Sequence, residues 1–421
     1  MREATLDHLI AKQTDSTVPF SVGFEMTSRC NEDCSHCVRS RWMGNELTYD
    51  EIVDILEQLA AEGAMELTFT GGDPLVREDF LPIMRKSHEL GFALFLFTNA
   101  TLITREIAQE LAKLRVQEVD ISVYGVTPEI HDGITRLKGS LRRTMRGISY
   151  LDEAGIMVNV KMVLMKQNFH ELPALKAMCQ KNGWQFRYDY ILFPRDDGST
   201  DVWEQRISDD QIRITDRMLK DDEIQTAMVH SGLSDVAPSL PDLSVVDDPD
   251  MIPMDAWHEI EQSAALGGPM GLSESHCMLT PDNETDNELI SAESIVSADE
   301  PVEETPKKKG VCSAGWNSVS ITSWGEVLPC ITWRMSLGNL RNESFKDIWH
   351  KSPLLERIRS LTHDDFDEAC SSCGVISKCH KCPGLAYSEH RDPLLPSSDR
   401  CRATQAINIL EGDNGPAEAA S

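Results

Sequence analysis

Three closely spaced cysteines are the first residues of this chain that could do chemistry. Cys30, Cys34 and Cys37 follow the spacing C-x3-C-x2-C. Three thiolates at this spacing can hold three corners of a cubane iron–sulfur cluster and leave one iron open to a cofactor or substrate. A structural zinc knuckle is the alternative, but zinc normally takes a fourth ligand at short spacing. His36 could serve, although it stands between two cysteines and is expected to pack over the cluster.

A second group of cysteines lies near the C-terminus. It begins with Cys312-x12-Gly325-x4-Cys330 and continues as C-x2-C-x5-C-x2-C with one further cysteine. These later members are Cys370, Cys373, Cys379, Cys382 and Cys401. The first twenty residues contain no apolar signal-peptide core, and thiols stay reduced in the cytosol, so metal or cluster ligation is a better default than disulfides. A zinc ribbon is the alternative for any pair of C-x2-C motifs.

The elements that must position the first cysteines form a repeated strand–helix pattern between residue 20 and about residue 190. Short apolar runs alternate with stretches that carry apolar residues at i, i+3 and i+4. Six strands are predicted at 21–26, 65–70, 93–98, 118–124, 157–164 and 185–192. Helices are predicted at 48–62, 79–90, 105–114, 141–154 and 170–181. This alternation predicts a parallel sheet in a partial (β/α)6 TIM-like barrel, with the Cys30 motif in a loop at the catalytic face.

The rest of the chain consists of segments that differ in amino-acid composition. A helix is expected near 209–220, and residues 225–310 hold 18 acidic residues against three lysines. Such a segment is predicted to be a solvated acidic insert or linker. The expected domains are an N-terminal segment at 1–19, the barrel at 20–224, the insert at 225–310, a small Cys-rich α+β domain at 311–403 and a disordered tail at 404–421.

The overall charge limits the partners. A formal net charge of −29 argues against a nucleic acid or an anionic membrane, because both would repel the chain. No stretch approaches the roughly 18 apolar residues of a membrane span, so a cytoplasmic location is expected.

With these motifs in view, CNEDCSHC resembles the radical S-adenosylmethionine (SAM) signature. The turn formed by Gly71, Gly72, Asp73 and Pro74 is similar to the family's Gly-Gly-Glu-Pro turn, whose backbone receives the amino group of SAM. Asp replaces the commoner Glu. On its residues alone, this is only a Gly/Pro turn.

Two further motifs support the resemblance. The segment 98–102, TNATL, is similar to the family's Thr-Asn-Gly-Thr-Leu and places Asn99 among the SAM-binding residues. By the same resemblance, Ser122 and Arg136 hold the ribose and the methionine carboxylate. His131 and Asp132 are interpreted as turn and capping residues, so no catalytic acid or base is identified.

The C-terminal cysteines resemble the SPASM domain, an auxiliary-cluster module of radical SAM enzymes, except that two residues instead of three separate Cys379 from Cys382. The resemblance implies one or two auxiliary clusters. The second would be held by Cys370, Cys373, Cys379 and Cys401, and the first by Cys312, Cys330 and Cys382. The fourth ligand position of the first auxiliary cluster either stays open, which we favour, or is taken by Cys277. Cys179 lies on the apolar side of a predicted helix and is expected to be buried as a small hydrophobic residue.

The resemblance implies an enzyme with a [4Fe-4S] cluster that cleaves SAM to a 5′-deoxyadenosyl radical. The segments of this chain around Cys312–Cys330 and after it look most like those of the pyrroloquinoline quinone and mycofactocin maturases. Maturation of a ribosomally made peptide is therefore the first hypothesis. Tetrapyrrole modification, sulfatase maturation and a non-catalytic metal scaffold are the alternatives. The implied partners are a peptide or protein substrate, a reductant such as flavodoxin or ferredoxin, and a separate peptide-recognition protein, since only about twenty residues precede the first strand.

Overall fold

A single nine-stranded sheet organises the molecule. The computed structural model describes residues 17–39, 45–220, 311–366 and 368–412. The strand order is β6-β5-β4-β3-β2-β1-β7-β8-β9, and every pair from β6 to β7 is parallel. The strands are β1 (Ser21–Thr27), β2 (Glu66–Gly71), β3 (Ala93–Thr98), β4 (Glu118–Ser122), β5 (Met157–Val163), β6 (Gln185–Asp189), β7 (Ser318–Ile321), β8 (Glu326–Leu328) and β9 (Gly338–Asn339).

Helices follow the first six strands and cover one face of the sheet. In the first part of the chain they are α1 (Tyr49–Ala61), α2 (Phe80–Glu89), α3 (Arg105–Lys113), α4 (Pro128–Thr135), α5 (Ser140–Glu153), α6 (Leu172–Asn182) and α7 (Asp209–Lys220). In the second part they are α8 (Phe345–Lys351), α9 (Pro353–Ser360), α10 (Glu368–Ser371), α11 (Pro383–His390) and α12 (Ser398–Gly412). The predicted partial (β/α)6 barrel is confirmed.

The core lies between the sheet and the helices. Alternate strand residues such as Val22, Phe24 and Phe69 are fully buried there. Helix starts agree with local sequence signals: Thr48 forms a capping box with Glu51 at the start of α1. Because the strand period is two, the intervening residues face the barrel interior, and many of these are polar.

The Cys-rich region continues the barrel sheet. Ser21 pairs with Ser318 and Phe24 with Ile321 in a parallel register, so β7 covers the edge of β1. The described residues of the barrel and of the Cys-rich region form one compact unit. The boundary predicted at residue 311 therefore separates two cysteine motifs but not two sheets, because β1 would otherwise leave its backbone hydrogen-bonding groups unpaired.

Two elements differ from the sequence expectation. Helix α4 contains His131, which is buried and lies inside the helix instead of in a turn. Asp132 does act as a cap, since its carboxylate accepts hydrogen bonds from the backbone N–H groups of Gly139 and Leu141. Helix α12 continues to Gly412, well beyond the expected tail start at 404, because Ala403 and Ala406 are buried.

Several predicted features fall outside the described residues. They are most of the N-terminal segment, the acidic insert at 225–310 with Cys277, and the end of the tail. Cys179 is fully buried in α6, as expected. Among the described residues, no helix combines the length and the apolar character needed to cross a membrane.

Candidate functional site

The first cysteine motif lies in the loop that follows β1. Cys30 is exposed within a recess, and Cys34 and Cys37 are half-buried. Low-dielectric surroundings raise the pKa of all three thiols, and the charges of Cys30 and Cys37 add to the effect at Cys34. The three thiols are therefore close enough to sense one another's charge.

Backbone contacts fix this loop against several other elements. The N–H groups of Asp33 and Ser35 donate to the carbonyls of Thr135 (3.1 Å) and Ile134 (2.9 Å) at the end of α4. On another side, Arg195 donates to the carbonyl of Cys37 at 2.7 Å, and Gln205 donates to that of Ser35 at 2.9 Å. The sequence analysis missed Arg195 and Gln205 because neither belongs to a local motif.

Two glycines let the turn after β2 approach the cysteine loop. Gly71 has φ +147°, and a Cβ on it would lie 2.2 Å from the carbonyl oxygen of Thr27. A Cβ on Gly72 would lie 1.9 Å from the carbonyl oxygen of Arg29. The backbone N–H of Gly72 donates to Thr27 at 2.8 Å. Pro74 then starts a short 3₁₀ helix, Pro74–Val76. Only glycine fits this approach.

Asp73 joins the turn after β2 to the turn after β3. It is fully buried. One carboxylate oxygen accepts hydrogen bonds from the hydroxyl of Thr98 (2.7 Å) and the backbone N–H of Asn99 (2.8 Å), and the other accepts from Leu75 (3.0 Å). Burial raises the pKa of Asp73, although these hydrogen bonds lower it. The side chain thus fixes the two turns against each other, and the role of the turn's backbone in receiving the SAM amino group stays a prediction.

Asn99 connects the turn after β3 to Cys30. Its amide nitrogen lies 3.9 Å from the sulfur of Cys30 and donates to the side-chain oxygen of Asn31 at 2.8 Å. Asn31 in turn donates to the hydroxyl of Thr101 at 2.6 Å. Asn31 was not predicted, and only its place inside the cysteine motif could have suggested it. Ala100, where the resembled motif has Gly, adopts φ 59°.

The other predicted SAM-binding residues lie on the same side of the barrel. Ser122 ends β4 and hydrogen-bonds Tyr124, whose ring meets His36 edge-on with centroids 4.7 Å apart. Burial lowers the pKa of His36 to about 4, so its imidazole is neutral at pH 7. Arg136 caps α4 and pairs with Asp33 at 2.9 Å. The turns after β2 and β3, Arg136 and, through Tyr124, Ser122 therefore border the Cys30 loop.

The C-terminal cysteines form two electrostatic groups. The charges of Cys330 and Cys382 raise the pKa of Cys312, after the larger effect of burial. Cys382 begins α11, where its sulfur accepts a hydrogen bond from the N–H of Leu385 at 3.4 Å. The hydroxyl of Thr332 lies 3.2 Å from the sulfur of Cys330. This group has the three members predicted for the first auxiliary cluster.

The second group surrounds Cys401, which lies in α12. Burial and then the charges of Cys379, Cys370 and Cys373 raise the pKa of Cys401 to about 11. The hydroxyl of Thr404 lies 3.8 Å from the sulfur of Cys379. These are the four ligands predicted for the second auxiliary cluster. Three groups of thiols that sense one another's charge fit the iron–sulfur clusters expected there, because such clusters take thiolate ligands.

A buried carboxylate links the two cysteine regions. Glu25 faces the barrel interior from β1 and is 2% exposed. Arg39, two residues after Cys37, lies 2.7 Å from it, and Arg334, from the segment after Cys330, lies 2.9 Å from it. Although burial raises the pKa of Glu25, the two guanidinium charges outweigh burial and lower it.

Charged groups also occur in pairs deeper in the barrel interior. Lys161 on β5 lies 3.1 Å from Asp120 on β4, and its ammonium sits 3.5 Å from the centroid of the Phe97 ring. Asn159 donates to the same Asp120 at 2.6 Å. The interior wall therefore carries paired charged groups beside an aromatic ring.

Comparisons with known proteins agree with this geometry. The Radical SAM superfamily model matches residues 24–179, and the SPASM iron-sulfur cluster-binding domain model matches residues 312–374. An AdoMet-dependent heme synthase of Nitratidesulfovibrio vulgaris is 25% identical over 89% of both chains. A PqqA peptide cyclase of Bradyrhizobium diazoefficiens is 32% identical over 38% of this chain and 43% of its own.

The fold is shared with solved structures. Streptococcus suis SuiB bound to precursor peptide SuiA superimposes with a TM-score of 0.58 at 17% identity, covering 95% of this chain and 80% of SuiB. The Radical SAM model covers the first cysteine motif, and the SPASM model covers Cys312, Cys330, Cys370 and Cys373 but ends before Cys379, Cys382 and Cys401.

Proposed function

This chain is a radical SAM enzyme with a SPASM domain, and from that premise we propose that it modifies a ribosomally made peptide by hydrogen abstraction. When bound, the [4Fe-4S] cluster and SAM supply an electron and the 5′-deoxyadenosyl radical. The protein's own residues hold, orient and shield the reacting groups.

The convergence of four motifs on Cys30 carries the catalytic part of the proposal. Cys30, Cys34 and Cys37 would hold three irons of the cluster. The backbone of Gly71, Gly72, Asp73 and Pro74 would receive the SAM amino group, and the side chains of Asn99, Ser122 and Arg136 would meet its other polar groups. Arg136 pairs with the exposed Asp33, so it can exchange that partner for the SAM carboxylate. The substrate whose hydrogen is to be abstracted would lie in the barrel interior.

The lining of that interior supports a polypeptide substrate. Its balanced pairs, such as Asp120 with Lys161, offer both donors and acceptors to amide groups. The identity of 32% to a PqqA peptide cyclase, over 164 residues, supports the same class. The two C-terminal thiol groups would hold auxiliary clusters that accept the electron left on the substrate. A reductant and a separate peptide-recognition protein complete the proposed partners.

Tetrapyrrole modification is the second candidate, and one observation favours it. The relatives that align along about nine-tenths of the chain are heme synthases, at 25% identity. The flat faces of a tetrapyrrole need an apolar slot, however, whereas the charged side chains of Asp120 and Lys161 line the described interior wall beside Phe97.

The first experiment tests SAM cleavage. The reconstituted chain with SAM and dithionite is expected to release 5′-deoxyadenosine. The triple variant Cys30→Ala, Cys34→Ala, Cys37→Ala should lose this product and about four irons per chain while keeping C-terminal iron. Product formation by the triple variant would refute the radical SAM mechanism, and its absence from the wild type would favour a metal scaffold.

The second experiment separates the substrates. The wild type is incubated with SAM, reductant and either a short peptide encoded beside its gene or iron coproporphyrin III. A mass change in the peptide, with deuterium transferred from labelled peptide to 5′-deoxyadenosine, supports the proposal. Oxidative decarboxylation of the porphyrin without peptide modification would establish the second candidate instead.

A further inference from the structure

Four charged side chains on the interior wall of the barrel differ in how far they are exposed. Glu118 and Asp120 lie on β4, Lys161 lies on β5, and Arg187 lies on β6. The side chains of the two acids are 14% and 5% exposed, whereas those of Lys161 and Arg187 are 31% and 61% exposed. We call Lys161 and Arg187 the cation pair. Among these four side chains, the positive ones are therefore those that a ligand can reach.

Contacts between the four side chains place them on the same face of the sheet. Lys161 lies 3.1 Å from Asp120, and Arg187 lies 3.8 Å from Glu118. The amide of Asn159 joins the two acids, because it donates to Asp120 at 2.6 Å and to Glu118 at 3.0 Å. Since alternate residues of a strand share a face, this is the face that looks into the barrel.

The cation pair lies level with Ser122. In the parallel register of the sheet, Ser122 is the partner of Lys161, and Lys161 is the partner of Arg187. Ser122 follows Asp120 by two residues, so both lie on the interior face of β4. Ser122 is also one of the residues proposed to bind SAM. A group held by the cation pair would thus lie beside the proposed SAM site.

The cation pair has hydrogen-bonding capacity for a ligand. The ammonium of Lys161 has three N–H donors, and within the described part of the chain its contacts are Asp120 and the ring of Phe97, 3.5 Å from the centroid. The 3.8 Å ion pair of Arg187 with Glu118 is longer than a hydrogen bond. A guanidinium group matches the two oxygens of a carboxylate, so Arg187 can bind one bidentately.

The charges of Lys161 and Arg187 act on each other. Burial lowers the pKa of Lys161, the charge of Asp120 opposes this effect, and the charge of Arg187 adds to it. The next acid along β6, Asp189, accepts a hydrogen bond from the backbone N–H of Ile191 at 2.9 Å. An anion bound between the two cations would offset their repulsion.

We propose that the cation pair binds a carboxylate of the substrate and holds it beside the proposed SAM site. The inference rests on the proposed function and narrows the substrate to one with a carboxylate near the carbon that loses hydrogen. In a peptide this group is an acidic side chain or the C-terminus. The propionates of a tetrapyrrole carry the same group, so the experiment has one arm for each source.

The test replaces the cation pair by neutral side chains in Lys161→Met/Arg187→Met. Arg187→Met alone is the second variant: it removes an exposed side chain from the strand that ends the described sheet and leaves the ion pair of Lys161 in place. The matched control is Arg85→Met/Lys113→Met. It removes two cations that both pair with Glu110 on the helices outside the sheet. Thermal unfolding and iron content check that each variant is folded.

The Kd is measured by calorimetry on the SAM-bound holoenzyme without reductant, so no turnover is needed. One probe is the short peptide encoded beside the gene, and the other is iron coproporphyrin III. Each probe is used as such and with all of its carboxylates amidated. We expect amidation and Lys161→Met/Arg187→Met each to weaken binding about tenfold or more, and Arg187→Met to cause a smaller loss. Combining amidation with either variant should cause no further loss, and the control should match the wild type.

Several outcomes would overturn the inference. They are equal binding of native and amidated probes by the wild type, binding of neither probe, and an unchanged Kd in the variants. A loss of the same size in the control would also overturn it, because this indicates a general charge effect. If the double variant does not fold, Arg187→Met decides.

Failure of the proposed function gives a different result. Carboxylate-dependent binding of the porphyrin alone would support the cation pair and reject the peptide function. Absence of dithionite-driven 5′-deoxyadenosine from the wild type would reject the proposed chemistry, and the Kd values would still test the carboxylate site because they need no SAM cleavage.

Discussion

Replacing Gly72 by Ala should remove the SAM-cleaving cluster while leaving the fold in place. Gly72 has an ordinary φ, so the effect of a methyl group there is steric. The added Cβ would lie 1.9 Å from the carbonyl oxygen of Arg29 and 2.9 Å from the backbone nitrogen of Cys30. Its neighbours are backbone atoms, which cannot rotate away as a flexible side chain can.

The required displacement decides the outcome. Restoring an ordinary contact moves the two backbones apart by about 1.5 Å. That shift breaks the hydrogen bonds from Gly72 to Thr27 and from Asp73 to Arg29, at 2.8 and 2.9 Å. Overpacking of this kind costs about 1–3 kcal/mol, which a chain of this size can tolerate. Metal sites, however, tolerate only about 0.2 Å in ligand distance, so Cys30 would no longer complete its group.

The assay counts iron and sulfide, measures dithionite-driven 5′-deoxyadenosine and follows thermal unfolding. Gly72→Ala should lose about four irons per chain and all SAM cleavage, with a Tm lowered by a few degrees. Gly133→Ala is the matched control: a Cβ there meets nothing within 4 Å, and the residue is exposed in α4. Because Ala favours the helix by about 1 kcal/mol, this control should be as stable as the wild type or more so.

Wild-type iron content and SAM cleavage in Gly72→Ala would refute the argument that the close approach of this turn positions Cys30. Loss of both in Gly133→Ala would show that the assay responds to any substitution near the site.

Three further predictions concern other parts of the site. Glu25→Gln should lower the free energy of unfolding by about 3 kcal/mol, because Arg39 would lose its counter-charge and Arg334 would keep only Asp196 at 3.2 Å, and denaturant titration against wild type measures this. His131 has a pKa lowered by burial to about 4, and its Nδ1 accepts from the N–H of Tyr124 at 3.2 Å. Its folded pKa lies below the unfolded value of about 6.5, so its contribution is present above pH 6.5 and is lost as pH falls towards 4, by about 3 kcal/mol. Unfolding midpoints should fall less steeply over this window in His131→Gln, and equal slopes would contradict the assignment. Cys277→Ala should leave the spectrum of the first auxiliary cluster unchanged if that cluster has an open iron, and conversion of the cluster would show that Cys277 is a ligand.

Local sequence was enough to predict most of the barrel. The predicted strand at 93–98 matches β3, and the helix predicted at 209–220 matches α7. Helix α4 was missed because its eight residues include Gly133 and follow a strand after only a short loop, which hides the apolar period. Helix α12 was missed because its apolar face is small. Only the packing of the structure shows that Ala403 and Ala406 on this face are buried.

The sequence by itself determined the chemistry, because cysteine spacing and short glycine turns are local patterns that specify which atoms can bind a cluster or a ligand. It also determined the succession of strands and helices, since periodicity depends on neighbours along the chain. Only the tertiary structure decided what surrounds those atoms: Arg195 and Gln205 on the cysteine loop, Glu25 between two arginines, and β7 beside β1. These partners are separated by tens to hundreds of residues, and nothing local encodes such pairings, because they arise from how the barrel closes around its own interior.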